Sequence, residues 1–97
     1  MKKLIVIGLV MFTANSFATT RSDCDAIADY ASALMEGRQV GVSMSESFTI
    51  AGDSKFLQNM VIRAYEQPAY STEKYQDRAV KKFTDEYFLA CIKSIKS

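Results

Sequence analysis

The chain has 97 residues, 12 lysines and arginines against 11 acids, two cysteines, one proline, and neither histidine nor tryptophan. That length allows one domain with a modest core. A near-neutral balance without a basic run gives nucleic acid no electrostatic footprint, and without histidine there is no ready general base near neutral pH, no histidine-activated nucleophile and no usual zinc ligand set.

Residues 1–18 read as a segment removed from the mature protein. Met1-Lys2-Lys3 is a short basic start, Leu4 to Phe12 is an uninterrupted apolar run, and Ser16-Phe17-Ala18 supplies small residues for cleavage after Ala18. This is the pattern of a secretory signal peptide, and the run is too short to span a bilayer. Arg21-Ser22-Asp23 ahead of Cys24 does not fit a lipid-anchored cysteine. Residues 19–97 are then a single domain, periplasmic or secreted, without stable membrane insertion. In that oxidising setting Cys24 and Cys91 read as a disulfide, because no Cys-x-x-Cys spacing points to redox chemistry. Closing so long a loop should stabilise the fold by about 4 kcal/mol in the chain-entropy view.

The first helix begins near Ser22 or Asp23 as cap and spans roughly 14 to 16 residues. Cys24, Ile27, Ala28, Ala31, Leu34, Met35 and Arg38 recur at three- and four-residue spacing, while Asp25, Asp29, Ser32 and Glu36 fall opposite. Gly37 or Gly41 ends it. Ser43 and Glu46 have capping-box spacing and start a short helix to about Ala51, anchored inward by Phe48 or Ile50. Gly52 breaks that helix, and Asp53 or Ser54 caps the third.

In the third helix Leu57, Met60, Val61, Ala64 and Tyr65 form a stripe, with Phe56 reinforcing its first turn. Pro68 ends it around Glu66 by pushing Gln67 out of the helical region. Ser71 or Thr72 caps the last and longest helix. There Tyr75, Ala79, Val80, Phe83, Tyr87, Ala90 and Cys91 share a broad face. Asp77, Lys81 and Asp85 make an outer ladder, and Lys82 with Glu86 a second pair. Phe88, Leu89, Ile92 and Ile95 broaden the pattern. Either other helices surround that end, the favoured reading in so small a core, or some apolar surface is left for a partner. No stretch alternates as a strand would. The fold is all-α: three main helices and one short one, first tied to last by the disulfide.

Asp23-Cys24, Arg38-Gln39-Val40-Gly41-Val42-Ser43, Ala64-Tyr65-Glu66-Gln67-Pro68, Phe83 and Cys91 together resemble a family of short exported bacterial proteins that often occur in prophage-like settings. The resemblance covers residues 23–91. It implies an exported helical domain and brings no catalytic residues with it.

Arg38 is a charge on an apolar stripe. In one reading its stem packs while the guanidinium binds helix-terminal carbonyls or a carboxylate such as Glu66. In the other, Arg38 and Gln39 present donors to a partner. Tyr65, Glu66, Tyr70 and Tyr75 gather around the Pro68 turn, either closing one end of the bundle with their hydroxyls in water or forming a recognition patch. Arg38, Gln39, Tyr65, Glu66 and Tyr70 are therefore the candidate partner surface.

Asp23 with Asp25 and Asp85 with Glu86 read as caps and outer ladders, not acid–base pairs. Met35 and Met60 lie on core stripes, so a copper set with Met44 is not expected. Neither cofactor nor metal follows, and no enzyme. The function these features suggest is an envelope binding protein of inhibitor, immunity or prophage-exclusion type, whose partner is another envelope or exported protein. An acid-activated periplasmic chaperone is the alternative, since eleven carboxylates titrate in acid. An envelope-acting enzyme or effector is a minor third.

Overall fold

The computed structural model describes residues 20–96, so the signal-peptide reading lies outside the described residues. Four helices follow in order: α1 (Arg21–Val40), α2 (Met44–Ala51), α3 (Lys55–Glu66) and α4 (Glu73–Lys96). Among the described residues there is no strand, as the periodicity predicts.

α1 is capped by Thr20, not by Ser22 or Asp23. Thr20 Oγ1 accepts from the Asp23 N–H at 3.3 Å, and Asp23 Oδ2 accepts from the Thr20 N–H at 3.0 Å. This reciprocal box satisfies two amides at once, so the helix starts one turn before Asp23 and reaches 20 residues. It runs through Gly37 and stops at Gly41, whose φ of 97° suits glycine alone. The Gly41 N–H donates to the Arg38 carbonyl at 3.3 Å and the Val42 N–H to the Gly37 carbonyl at 2.9 Å. Those two bonds are the Schellman closure.

α2 begins as its sequence predicts, with Ser43 Oγ accepting from the Glu46 N–H at 3.1 Å. Its inward face differs from expectation. Ser47 and Ala51 are buried, whereas Phe48 and Ile50 are exposed, Ile50 by 73%. α2 packs against α3, where Ser47 Oγ meets the Tyr65 hydroxyl at 3.1 Å. The bulky residues are left outside.

α3 is capped by Ser54, which accepts from the Leu57 N–H at 3.1 Å. Met60, Val61 and Ala64 are fully buried. Phe56 is half-exposed, yet its ring meets Tyr87 edge-on at 6.2 Å. Gln67 is extended (φ −83°, ψ 151°), as a residue before proline must be.

α4 packs chiefly on α1. The two run antiparallel: the start of α1 is bonded to the end of α4 through Cys24–Cys91 (Cα–Cα 5.5 Å), and the end of α1 meets Tyr70 just before α4. The core lies between them and α3, built on Ala31, Leu34, Met35, Met60, Val61, Ala64 and Phe83. On the outer face Lys81 pairs with Asp85 at 3.2 Å, but Glu86 turns to Arg63 of α3 at 3.4 Å instead of to Lys82. The end of α4 is not enclosed as expected. Leu89 is 57% exposed, because it stands about 120° round the helix from Phe83 and faces away from α1.

Candidate functional site

The residues singled out around Arg38 and Pro68 converge at one end of the bundle. Arg38 lies in the last turn of α1, and α3 ends opposite it. The last carbonyls of a helix lack partners within it and carry the negative end of its dipole. Arg38 fills that need. Its Nε and Nη2 donate to the Gln67 carbonyl at 3.0 and 2.7 Å, and Nη2 also reaches the Tyr65 carbonyl at 3.4 Å. The guanidinium lies over the Tyr65 ring, 5.1 Å from its centroid. Of the two acceptors expected, the helix-terminal carbonyls are used. Glu66 is exposed and takes no part.

Gln39 is buried at 6% exposure, which overturns its placement on a partner surface. Its Nε2 donates to the Pro68 carbonyl at 2.8 Å and reaches Met35 Sδ at 3.4 Å, and its Oε1 accepts from the Tyr70 N–H at 2.7 Å. A turn containing proline has few ways to satisfy its own backbone, and this one amide bridges both sides of it. Gln76 of α4 completes the closure, donating to the Tyr70 carbonyl at 2.8 Å.

Tyr65 also differs from expectation. Its hydroxyl is not left to water: it donates to the Val42 carbonyl at 2.6 Å and lies 3.1 Å from Ser47 Oγ. Ser47 explains its own burial by this contact. Nothing in the spacing distinguishes Ser47 from the chain's other serines except its place one turn before Ala51, on a face too small for a large side chain.

Arg38, Gln39, Tyr65, Ser47 and the Pro68 backbone thus form a latch holding three helix ends together. Among the described residues no buried side-chain nitrogen or oxygen lacks a partner. Its charge is balanced by carbonyls and an aromatic face. The latch sets no nucleophile beside a base, and no group of three or more metal-binding side chains occurs among the described residues.

No family model, curated protein or solved structure matches the chain.

What the latch displays is the segment beside it. From residue 40 to residue 50, Val40, Val42, Met44, Phe48 and Ile50 are exposed, Val40 by 75%. Val42 and Ile50 line an apolar cleft with Tyr30, Leu34 and Gly37, about 210 Å³ in volume. Met44 and Phe48 line another. Tyr70 is exposed beyond the turn, its ring 6.0 Å from that of Tyr75. Of the five candidate surface residues, Glu66 and Tyr70 stand open to contact, while Arg38, Gln39 and Tyr65 support the segment from beneath.

Proposed function

We propose that the chain is a small exported binding protein of the cell envelope, of inhibitor, immunity or prophage-exclusion type, acting by contact with another envelope or exported protein. The observation that carries this reading is that Val40, Val42, Met44, Phe48 and Ile50 are all exposed within one short segment. Val42 and Ile50 lie in one apolar cleft and Met44 and Phe48 in another, beside the bond from Tyr65 to the Val42 carbonyl. Exposed apolar clusters on small domains mark contact surfaces, and a fixed backbone lowers the ordering cost of using one. The disulfide suits an oxidising compartment. The reading is non-catalytic, in keeping with a sequence that has no histidine.

The acid-activated chaperone draws less from the fold. All eleven carboxylates are exposed, and none enters the latch. Protonating them adds repulsion but releases no buried contact.

Immobilised mature, oxidised protein should retain one saturable partner from envelope extract, in molar proportion at neutral pH. A Val40→Ser/Ile50→Ser variant that melts at the same temperature should lose it. Retention of nothing saturable by the wild-type protein would overturn the proposal, and many partners appearing only in acid would favour the chaperone.

A further inference from the structure

A second surface at the latch end differs in chemistry from the apolar segment. Two clefts share Tyr70, Ala79 and Lys82. One, of about 210 Å³, extends under the Pro68 turn to Arg63 and Glu86; the other, of about 330 Å³, opens between Tyr75 and Arg78. Along their rim α4 carries Lys74, Arg78 and Lys82, each one turn after the last.

Like charges four residues apart repel and weaken a helix. Here the pattern is repeated, and none of the three enters an ion pair among the described residues. Glu86, next on the row, is taken by Arg63. Asp77, three residues after Lys74, is a near acid on the helix surface but forms no ion pair with it. None of the three cations has a carboxylate partner among the described residues. Lys74 and Arg78 lie instead against the Tyr75 ring, at 5.9 and 5.5 Å from its centroid. The ring steadies the first two cations but leaves the charge of the row unpaired.

We infer that this row, with Tyr70 and Tyr75 as its wall, binds an acidic segment of a partner protein whose carboxylates recur about 6 Å apart, as on one face of a helix. The inference rests on the reading of the chain as a binding protein and names the chemistry of its partner. Charge complementarity argues for the occupant: the row is linear, about 12 Å long over two turns, and free of ion pairs among the described residues. The cleft under the turn, about 210 Å³, is of a size for single side chains. Three cations also fall short of the cluster of about four to eight that holds a protein to anionic lipid.

The test does not require the natural partner. Isotope-labelled mature, oxidised protein would be titrated, by NMR, with a synthetic helical peptide bearing glutamate at every fourth position. The same titration would use its glutamine counterpart and vesicles of phosphatidylglycerol. Saturable shifts at Tyr70, Lys74, Tyr75, Arg78 and Lys82 with the glutamate peptide alone are expected. Affinity should drop at least about tenfold when salt is raised from about 0.05 to 0.5 M. Lys74→Gln/Arg78→Gln/Lys82→Gln should abolish the shifts while leaving the amide spectrum of the latch in place. If that variant misfolds, the single change Lys82→Gln should still weaken binding several-fold.

No shifts at these residues, equal shifts with the glutamine peptide, or a response to vesicles alone would overturn the inference. A saturable envelope partner captured by the triple variant as well as by wild type would overturn it too, and would leave the binding-protein reading standing.

Discussion

Gln39 is the residue on which the latch end depends most. Replacing it with alanine strands the Pro68 carbonyl and the Tyr70 N–H, both partly buried, and should cost about 2 kcal/mol. In a domain of this size that is a fall in melting temperature of about 10 °C. Arg38→Ala removes the donors to Gln67 and Tyr65 and should also lower the melting temperature, by at least about 5 °C. An unchanged melting curve for either variant would mean that the latch contributes nothing to stability. Tyr30 adds one alkaline dependence to the stability of the fold. Burial raises its phenol above the ordinary value near 10. The unfolded chain therefore releases this proton first as pH rises. Stability from this source is complete below about pH 10 and declines above it. Wild type should lose more stability than Tyr30→Phe between about pH 9 and pH 11 in parallel thermal melts.

At the scale of elements, α1 stops where it does because Gly41 adopts a backbone conformation closed to other residues. Gly41→Ala should destabilise by about 1–2 kcal/mol. The same change at Gly37, within the helix and in ordinary contact with Val42, should cost less. Chemical denaturation of the two variants checks the order. The helices were legible in the sequence wherever a stripe or a cap announced them: the stripe from Cys24 to Arg38, the Ser43 start, the Ser54 start and the Pro68 stop all have local causes. The inward face of α2 was not legible. Hydrophobicity pointed to Phe48 and Ile50, but how closely α3 lies decides the matter, and a close neighbour selects Ser47 and Ala51. The Thr20 cap escaped for a different reason, since Ser22 and Asp23 offered equally good chemistry and only the reciprocal bond to Asp23 separates them.

At the scale of the molecule, two ties hold the long helices at opposite ends, the disulfide at one and the latch at the other. Cys24→Ser/Cys91→Ser should lose about 4 kcal/mol, a drop in melting temperature on the order of 20 °C. Calorimetry of the variant beside the oxidised wild type measures it. The pairing could be read from the sequence because only two cysteines exist. The candidate site was legible by half. Spacing put Arg38 on a buried stripe and gathered the tyrosines near Pro68. That Gln39 would turn inward could not be read from spacing, because its acceptor and donor lie 29 and 31 residues away on a turn without periodicity.

The packing of α1 on α4 has a consequence in time. The dominant contact joins the first helix to the last, so it cannot form until the α4 residues that pack on the core have been synthesised. Until then α1 has no partner for most of its apolar stripe, and a lone helix of about 20 residues is marginal in water. The nascent chain therefore lacks its main helix pairing until α4 is made. Order of synthesis thus makes the pairing of the two long helices, and the disulfide that locks it, a late event in assembly.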